Sequence, residues 1–379
     1  MILKNGRILC GDFGFAEKSL TVENERITAV GGDFSEADID LGGLTVLPGL
    51  VDIHTHGCGE WEGYDGDGAV AKMAEFFAEN GTTAFLPTSR GMDFDKLIRV
   101  TKEIANFIEG PLGENFAAPL GIHLEGPFLS EAKRGAHPSE YILPPDAELW
   151  EKLCEAAHGQ VKIMSLAPEL EGALDFIGGV SDRMTVSVAH SAASYETAKE
   201  AFARGATHVT HLFNAMTPFG HREPGIIGAA FDSQSVTAEL ITDGEHVHPA
   251  AVRLAFKALG SDRVVLISDS VTGAGLPTGE YVFRGVPHTC VKGKAVHISD
   301  GTLAGGGGFL LDNVRSAVSF GIPLEAAVKA ASLNPAKVIG CDRELGSIEA
   351  GKRADLIFVD GDLNLKGVML RGKLLFLNN

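Results

Sequence analysis

No apolar stretch of this chain approaches the ~20 residues that a helix needs to cross a bilayer, so no membrane span is expected. Positive charge is also scarce: 32 Lys and Arg face 50 Asp and Glu, a formal net charge of −18. A field of that sign repels phosphate backbones, which argues against a nucleic-acid partner. It repels small anions as well, so any phosphate-binding site has to be a local cluster of Arg, His and backbone N–H groups. Cysteine is sparse. Cys10, Cys58, Cys154, Cys290 and Cys341 are odd in number and scattered, with no CxxC pair. That excludes a disulfide framework or a zinc ribbon and points to reduced thiols in a cytoplasm. The opening residues, MILKNGRILCGDFGF, lack a charged segment followed by a long apolar run, so no signal peptide is expected.

What is present is ample apolar material, 45% of 379 residues, enough for a large core. A barrel of eight strand–helix units takes about 250 residues, which leaves room for one smaller unit. The first ~45 residues alternate around Asn-Gly and Gly-Gly turns, and ADLIFVDGD and LKGVMLRGKLLF near the end repeat that style. The two ends are therefore expected to form one small β-sandwich, residues 1–48 with 341–379.

Residues 49–340 read differently. Eight apolar runs have strand length: Leu50–His54, Thr83–Pro87, Pro119–Leu124, Val161–Leu166, Thr185–Ala189, Thr207–His211, Val236–Ile241 and Val264–Ser268. Helical patterns such as Ala69–Glu79, Tyr195–Ala203 and Pro249–Leu259 lie between most of them. The alternation predicts an α/β fold, a (β/α)8 TIM barrel. Three connections, Gly126–Gln160, Leu212–Gln234 and Asp269–Gly305, read as long loops after the third, sixth and eighth strands. Such loops at the C-terminal ends of barrel strands usually build the active site.

The chemistry-bearing residues fall at those ends. His54 and His56 are two apart on a strand, so both imidazoles face the same side. His123 and Glu125 share a face by the same rule. His190, His211 and Asp269 close the fifth, sixth and eighth strands. Each alone has a plain alternative: a hydrogen-bonded polar side chain, a surface carboxylate, a cap. Together they predict a metal site, and imidazole with carboxylate suits zinc or iron(II) and argues against magnesium. Cys58, just beyond His56, reads as a small residue in a Gly-rich turn. His208 and His248 read as structural, and His158, His221, His288 and His297 carry no site signal.

PGLVDIHTHG (Pro48–Gly57) resembles the first-strand signature of the amidohydrolase superfamily, and GSIEAGKRADLIFVD (Gly346–Asp360) resembles its C-terminal return. HLEGPF, AHS, THLFNAM, REPG, DGEHV, SDS and GTLAG follow in the order and spacing of the N-acetylglucosamine-6-phosphate deacetylases, nearly end to end. The run Gly305–Gly308 departs from the more varied residues expected there. The resemblance implies a hydrolase of an amino-sugar phosphate. It implies a metal on Glu125, His190 and His211, a second on His54 and His56 where two are bound, and Asp269 as acid/base. It further implies substrate contacts from Ala136, His137, Asn214, Ala215, Arg222, His246, Leu303 and Ala304. It implies a homodimer in which Arg222 serves the neighbouring subunit; the plain alternative for Arg222 is a salt bridge to Glu223. Dihydroorotases and hydantoinases bridge their metals with a carboxylated lysine, and no Lys ends the third or fourth strand here. An N-acetylgalactosamine 6-phosphate deacetylase stays open as an alternative, as does a non-catalytic barrel used as a binding module.

Overall fold

The computed structural model describes residues 1–32, 37–66, 68–299 and 301–378. The alternating ends meet in one hydrogen-bonded sheet of eight strands: Ile2–Leu9, Phe15–Glu23, Arg26–Val30, Ile39–Asp40, Thr45–Pro48, Leu356–Val359, Leu365–Leu370 and Lys373–Leu377. Thr45–Pro48 joins the two termini. It runs parallel to Ile2–Leu9 and antiparallel to Leu356–Val359. The expected sandwich is thus a single sheet, gathered around one apolar core that includes Leu3, Ile8, Leu20, Val46, Leu356, Phe358 and Met369. Alternation fixes which side chains face inward; it carries no information on how many sheets the strands form.

The middle of the chain supplies eight parallel strands: β1 (Leu50–Thr55), β2 (Thr82–Pro87), β3 in two pieces (Ala118–Pro119 and Ile122–Glu125), β4 (Val161–Leu166), β5 (Thr185–Val188), β6 (Ala206–Val209), β7 (Thr237–Leu240) and β8 (Val264–Leu266). They pair in two runs, β1 to β2 to the first piece of β3, and the second piece of β3 through β8 in sequence order. Isolated parallel bridges, Thr88 to His123 and Thr55 to Ser270, connect the edges of the two runs. A helix follows each strand: α1 (Ala69–Glu79), α2 (Phe94–Glu109), α3 (Ala147–Ala156), α4 (Ala173–Val180), α5 (Tyr195–Ala203), α6 (Gly225–Asp232), α7 (Pro249–Leu259) and α8 (Leu310–Ser319). Local sequence explains their starts. The side chains of Asp93, Asp146 and Ser194 accept from backbone N–H groups three residues on, capping α2, α3 and α5. On α2, Leu97, Val100, Thr101, Ile104 and Ala105 form the buried stripe.

Two of the long connections are only partly loop, since they contain α3 and α6. The third is largely sheet. Gly279–Phe283, Val286–Val291, Ala295–Ile298 and Leu303–Gly306 form a four-stranded antiparallel insert between β8 and α8. Its last strand returns to the end of β8, where Gly306 N–H donates to the Asp269 carbonyl (2.7 Å). This return accounts for the glycine run. A Cβ at Gly306 would overlap the Ser268 carbonyl oxygen, and one at Gly307 would crowd the Ala295 carbonyl. No described helix is long and apolar enough to cross a membrane.

Candidate metal and active site

Inside the strands the side chains are buried yet polar, and they are hydrogen-bonded to one another as burial demands. His123 Nδ1 lies 2.9 Å from the Ile53 carbonyl and its Nε2 2.8 Å from Ser165 Oγ. Ser165 and Ser187 both meet Thr210 Oγ1, at 2.8 and 2.6 Å. With both ring nitrogens engaged, His123 is part of this polar floor. Burial, its largest influence, lowers its pKa to about 3, so it stays neutral. His208 is likewise engaged on both sides, by Thr237 Oγ1 (2.6 Å) and Glu239 Oε1 (3.3 Å).

Above that floor the predicted residues converge on Glu125, which is 2% exposed. Its Oε1 lies 3.1 Å from His190 Nε2, 3.0 Å from His211 Nε2 and 3.5 Å from His54 Nε2. Its Oε2 lies 3.4 Å from His56 Nε2 and 3.2 Å from His137 Nε2. Asp269 Oδ1 stands opposite, 3.5 Å from His54 Nε2 and 3.3 Å from His56 Nε2. Three of these residues reach the cluster through left-handed backbone: His190 (φ 43°), His211 (φ 30°) and Asp269 (φ 46°). Non-glycine residues there cost about 1–3 kcal/mol each and persist only when their surroundings fix them. Glu169 fixes the turn after His190, accepting from Ser191 Oγ and Ala192 N–H, both at 2.6 Å. Glu239 accepts from His211 N–H (3.1 Å), and the His54 carbonyl from Asp269 N–H (3.0 Å).

The far ring nitrogens sort the histidines. A neutral imidazole carries one N–H and one lone pair. His56 Nδ1 faces the Thr88 carbonyl (3.2 Å), His190 Nδ1 the Lys133 carbonyl (2.9 Å) and His54 Nδ1 the Glu239 carboxylate (2.8 Å). These partners only accept, so the hydrogen sits on Nδ1 and Nε2 offers a lone pair to the centre. His137 is reversed. Its Nδ1 accepts from Gly91 N–H (2.9 Å), so its Nε2 carries the hydrogen and is a donor. Burial, its largest influence, lowers the His137 pKa to about 4 and keeps it neutral.

Lone pairs aimed at carboxylates need a cation between them. His54 Nε2 is buried with no hydrogen-bond partner, and His54, His56 and Glu125 place their ligand atoms within 4.8 Å of one another. The donor set therefore fits a divalent cation, and its electrostatics say the same. Burial works against charge on His56, yet hydrogen bonds accepted by the Asp269 and Glu125 carboxylates raise its pKa to about 9. Burial would raise the Glu125 and Asp269 carboxyls, and the facing imidazoles hold both below their ordinary values.

The cluster opens into a cavity of about 390 Å³. Ala136, His137, Asn214, Ala215, His246, Leu303 and Ala304 all line it. The Asn214 N–H is engaged with the His211 carbonyl (2.9 Å). His246 holds Asp243 through Nδ1 (2.6 Å). Arg222 is exposed and outside its own cavity; its Nη1 lies 2.7 Å from His221 Nε2, and no described carboxylate pairs with it. His288 lines the cavity although its sequence carried no site signal, as do Phe283, Val286 and Ile298 from the same insert. At the rim, Glu62 pairs with Arg90 and with Arg284 (3.0 Å), which also pairs with Asp65. Sequence reasoning missed this rim and Glu239.

The family model described as the amidohydrolase family matches residues 45–375. An N-acetylglucosamine-6-phosphate deacetylase of Bacillus subtilis (strain 168) is 36% identical, covering 100% of this chain and 94% of its own. An N-acetylgalactosamine-6-phosphate deacetylase of Escherichia coli O157:H7 is 32% identical, covering 98% of each. The solved structure of a Mycobacterium smegmatis N-acetyl-D-glucosamine-6-phosphate deacetylase, in complex with N-acetyl-D-glucosamine-6-phosphate, superimposes with a TM-score of 0.92 at 32% identity, covering 99% of both chains.

Proposed function

The chain belongs to the amidohydrolase family, and from that premise we propose that it hydrolyses the acetamide of N-acetylglucosamine 6-phosphate to acetate and glucosamine 6-phosphate. The observation that carries this reading is the convergence of Glu125, His54, His56, His190 and His211 beside Asp269 at one end of one cavity. Glu125, His190 and His211 hold one divalent cation, and His54 with His56 offers a second position. Zinc or iron(II) suits these donors. When bound, such a cation supplies Lewis acidity to a water and to the amide carbonyl.

The chain's own residues do the rest. Asp269 takes a proton from the attacking water and delivers it to the departing nitrogen, since an amide anion cannot leave. His137 donates its Nε2 hydrogen to the oxyanion that forms on the acetyl oxygen. Ala136, Asn214, Ala215, His246, Leu303 and Ala304 shape the cavity around the sugar phosphate. The insert covers the cavity with Phe283, Val286 and Ile298, which limits access of bulk water.

Acetate release across a panel of sugars tests the substrate. N-acetylglucosamine 6-phosphate should give the highest kcat/KM. The unphosphorylated sugar should fall roughly tenfold or more, the size of one lost charge-assisted hydrogen bond. A higher kcat/KM for N-acetylgalactosamine 6-phosphate would reassign the enzyme to that substrate.

The same reading takes β1–β8 as one closed (β/α)8 barrel, residues 49–340, with residues 1–48 and 341–379 as the second unit. The bridges at both edges of the strand runs and one helix after each strand support it. Five free cysteines fit a cytoplasmic setting. The reading also includes a two-fold homodimer in which each Arg222 contacts the phosphate in the neighbouring subunit, and its exposure outside its own cavity supports that. Mixing Asp269→Asn and Arg222→Ala subunits checks it. With random exchange about half the dimers are hybrids, and each hybrid has one site with both native residues, so about a quarter of wild-type activity should return. The assay belongs at low substrate, where a lost binding contact is felt. No recovery, with hybrids demonstrated by differently tagged subunits, would place Arg222 in its own site.

A further inference from the structure

Glu239 lies on β7 with no exposed surface, and the chemistry above leaves it without a task. Its carboxylate gathers three donors. Oε2 lies 2.8 Å from His54 Nδ1 and 3.1 Å from the backbone nitrogen of His211. Oε1 lies 3.3 Å from His208 Nε2. One buried anion thus touches a side chain of the His54–His56 pair and the backbone of His211, whose left-handed turn aims its ring at Glu125.

We propose that Glu239 is the positioning residue that makes His54 a cation ligand, so that the His54–His56 pair holds a second divalent cation only while Glu239 is in place. The inference rests on the reading of this cluster as a metal site. A carboxylate can only accept, so it draws the imidazole hydrogen to Nδ1 and leaves the Nε2 lone pair pointing at the cluster. That Nε2 is buried, has no hydrogen-bond partner, and faces one oxygen each of Glu125 and Asp269 at 3.5 Å. His56 presents its own Nε2 to the same two carboxylates at 3.4 and 3.3 Å. Two lone pairs and two carboxylate oxygens around one point form a complete donor set for a cation. His137 shows what happens without such a partner: a backbone N–H at its Nδ1 makes its Nε2 a donor instead. A negative charge behind a histidine ligand also raises its basicity, and losing such a partner commonly lowers metal affinity about 10–100-fold.

The test uses the full-length chain, stripped with a chelator and titrated with Co(II) and, separately, with Zn(II). Stoichiometry is read by calorimetry and elemental analysis, and the second equivalent of Co(II) by its visible absorption. Wild type should take two ions. Glu239→Gln keeps the shape and can still accept from His54, so the melting temperature of the stripped protein should hold while second-ion affinity falls about 10–100-fold. His54→Asn, which leaves Glu239 its bonds to His208 and His211, should lose the second ion and keep the first. A wild-type chain that takes one ion, a Glu239→Gln chain that binds the second as tightly as wild type, or a His54→Asn chain that still takes two would each overturn the proposal. All three leave the deacetylase reading standing. A wild-type chain that takes no ion overturns both.

Discussion

Asp269→Asn should keep its fold and the cation held by Glu125, His190 and His211, and lose roughly 10²–10⁴-fold in kcat, the usual contribution of a general acid/base. Asparagine fills the same space at the end of β8, but it cannot carry a proton from water to amine. The geometry makes the test clean. Asp269 is held by the backbone bond from its N–H to the His54 carbonyl (3.0 Å) and by the return of Gly306 onto its own carbonyl (2.7 Å), and neither contact involves the side chain. The facing imidazoles keep the carboxyl ionised against the pull of burial, so the native residue is a base ready to accept. The loss should appear in kcat at saturating substrate, since the proton transfer belongs to the transition state. A variant that keeps more than half of the wild-type kcat, with the cation on Glu125, His190 and His211 still bound, would remove Asp269 from this role.

Much of the site was legible because its chemistry sits at repeating positions. His54 with His56, and His123 with Glu125, are pairs two residues apart on strands, and period two puts each pair on one face. His190, His211 and Asp269 follow strand ends, where the mouth must be. Alternation could not separate His123 from Glu125, however. The two share a face, and only depth decides that one joins the Ser165–Thr210 floor while the other meets the metal site. Glu239 was illegible for a related reason. A single carboxylate in a short strand, TAEL, reads as a solvent-facing residue, and its partners come from β1 and β6.

The fold shows the same boundary. All eight strands of the middle region were found from apolar runs, because parallel strands buried on both faces leave a continuous signal. The insert was read as loop because its strands are half exposed. Gly279–Phe283 has no buried residue, and Val286–Val291 has one, Cys290. Its effect on function is therefore the least visible in sequence. His288, dismissed as carrying no signal, lines the cavity only because the hairpin turns back over the mouth. There Arg284 pairs with Glu62 and Asp65, residues that follow β1.

Stripping the metal should abolish turnover. Five imidazoles lie around Glu125, and at least three of them, His54, His56 and His190, direct lone pairs inward because their other nitrogens face oxygens that only accept. Without a cation such a cluster can only take up protons, which neither polarise an amide as a Lewis acid does nor yield a nucleophile at neutral pH. Several kcal/mol of transition-state stabilisation go with the metal, about three orders of magnitude in rate. The decisive measurement is acetate release from N-acetylglucosamine 6-phosphate by one preparation in three states: as purified, chelator-stripped, and reloaded with zinc or iron(II). The account predicts activity in the first, a fall of about 10³-fold or more in the second, and recovery in the third. A fully stripped protein, verified by elemental analysis, that turns over at the original rate would contradict it.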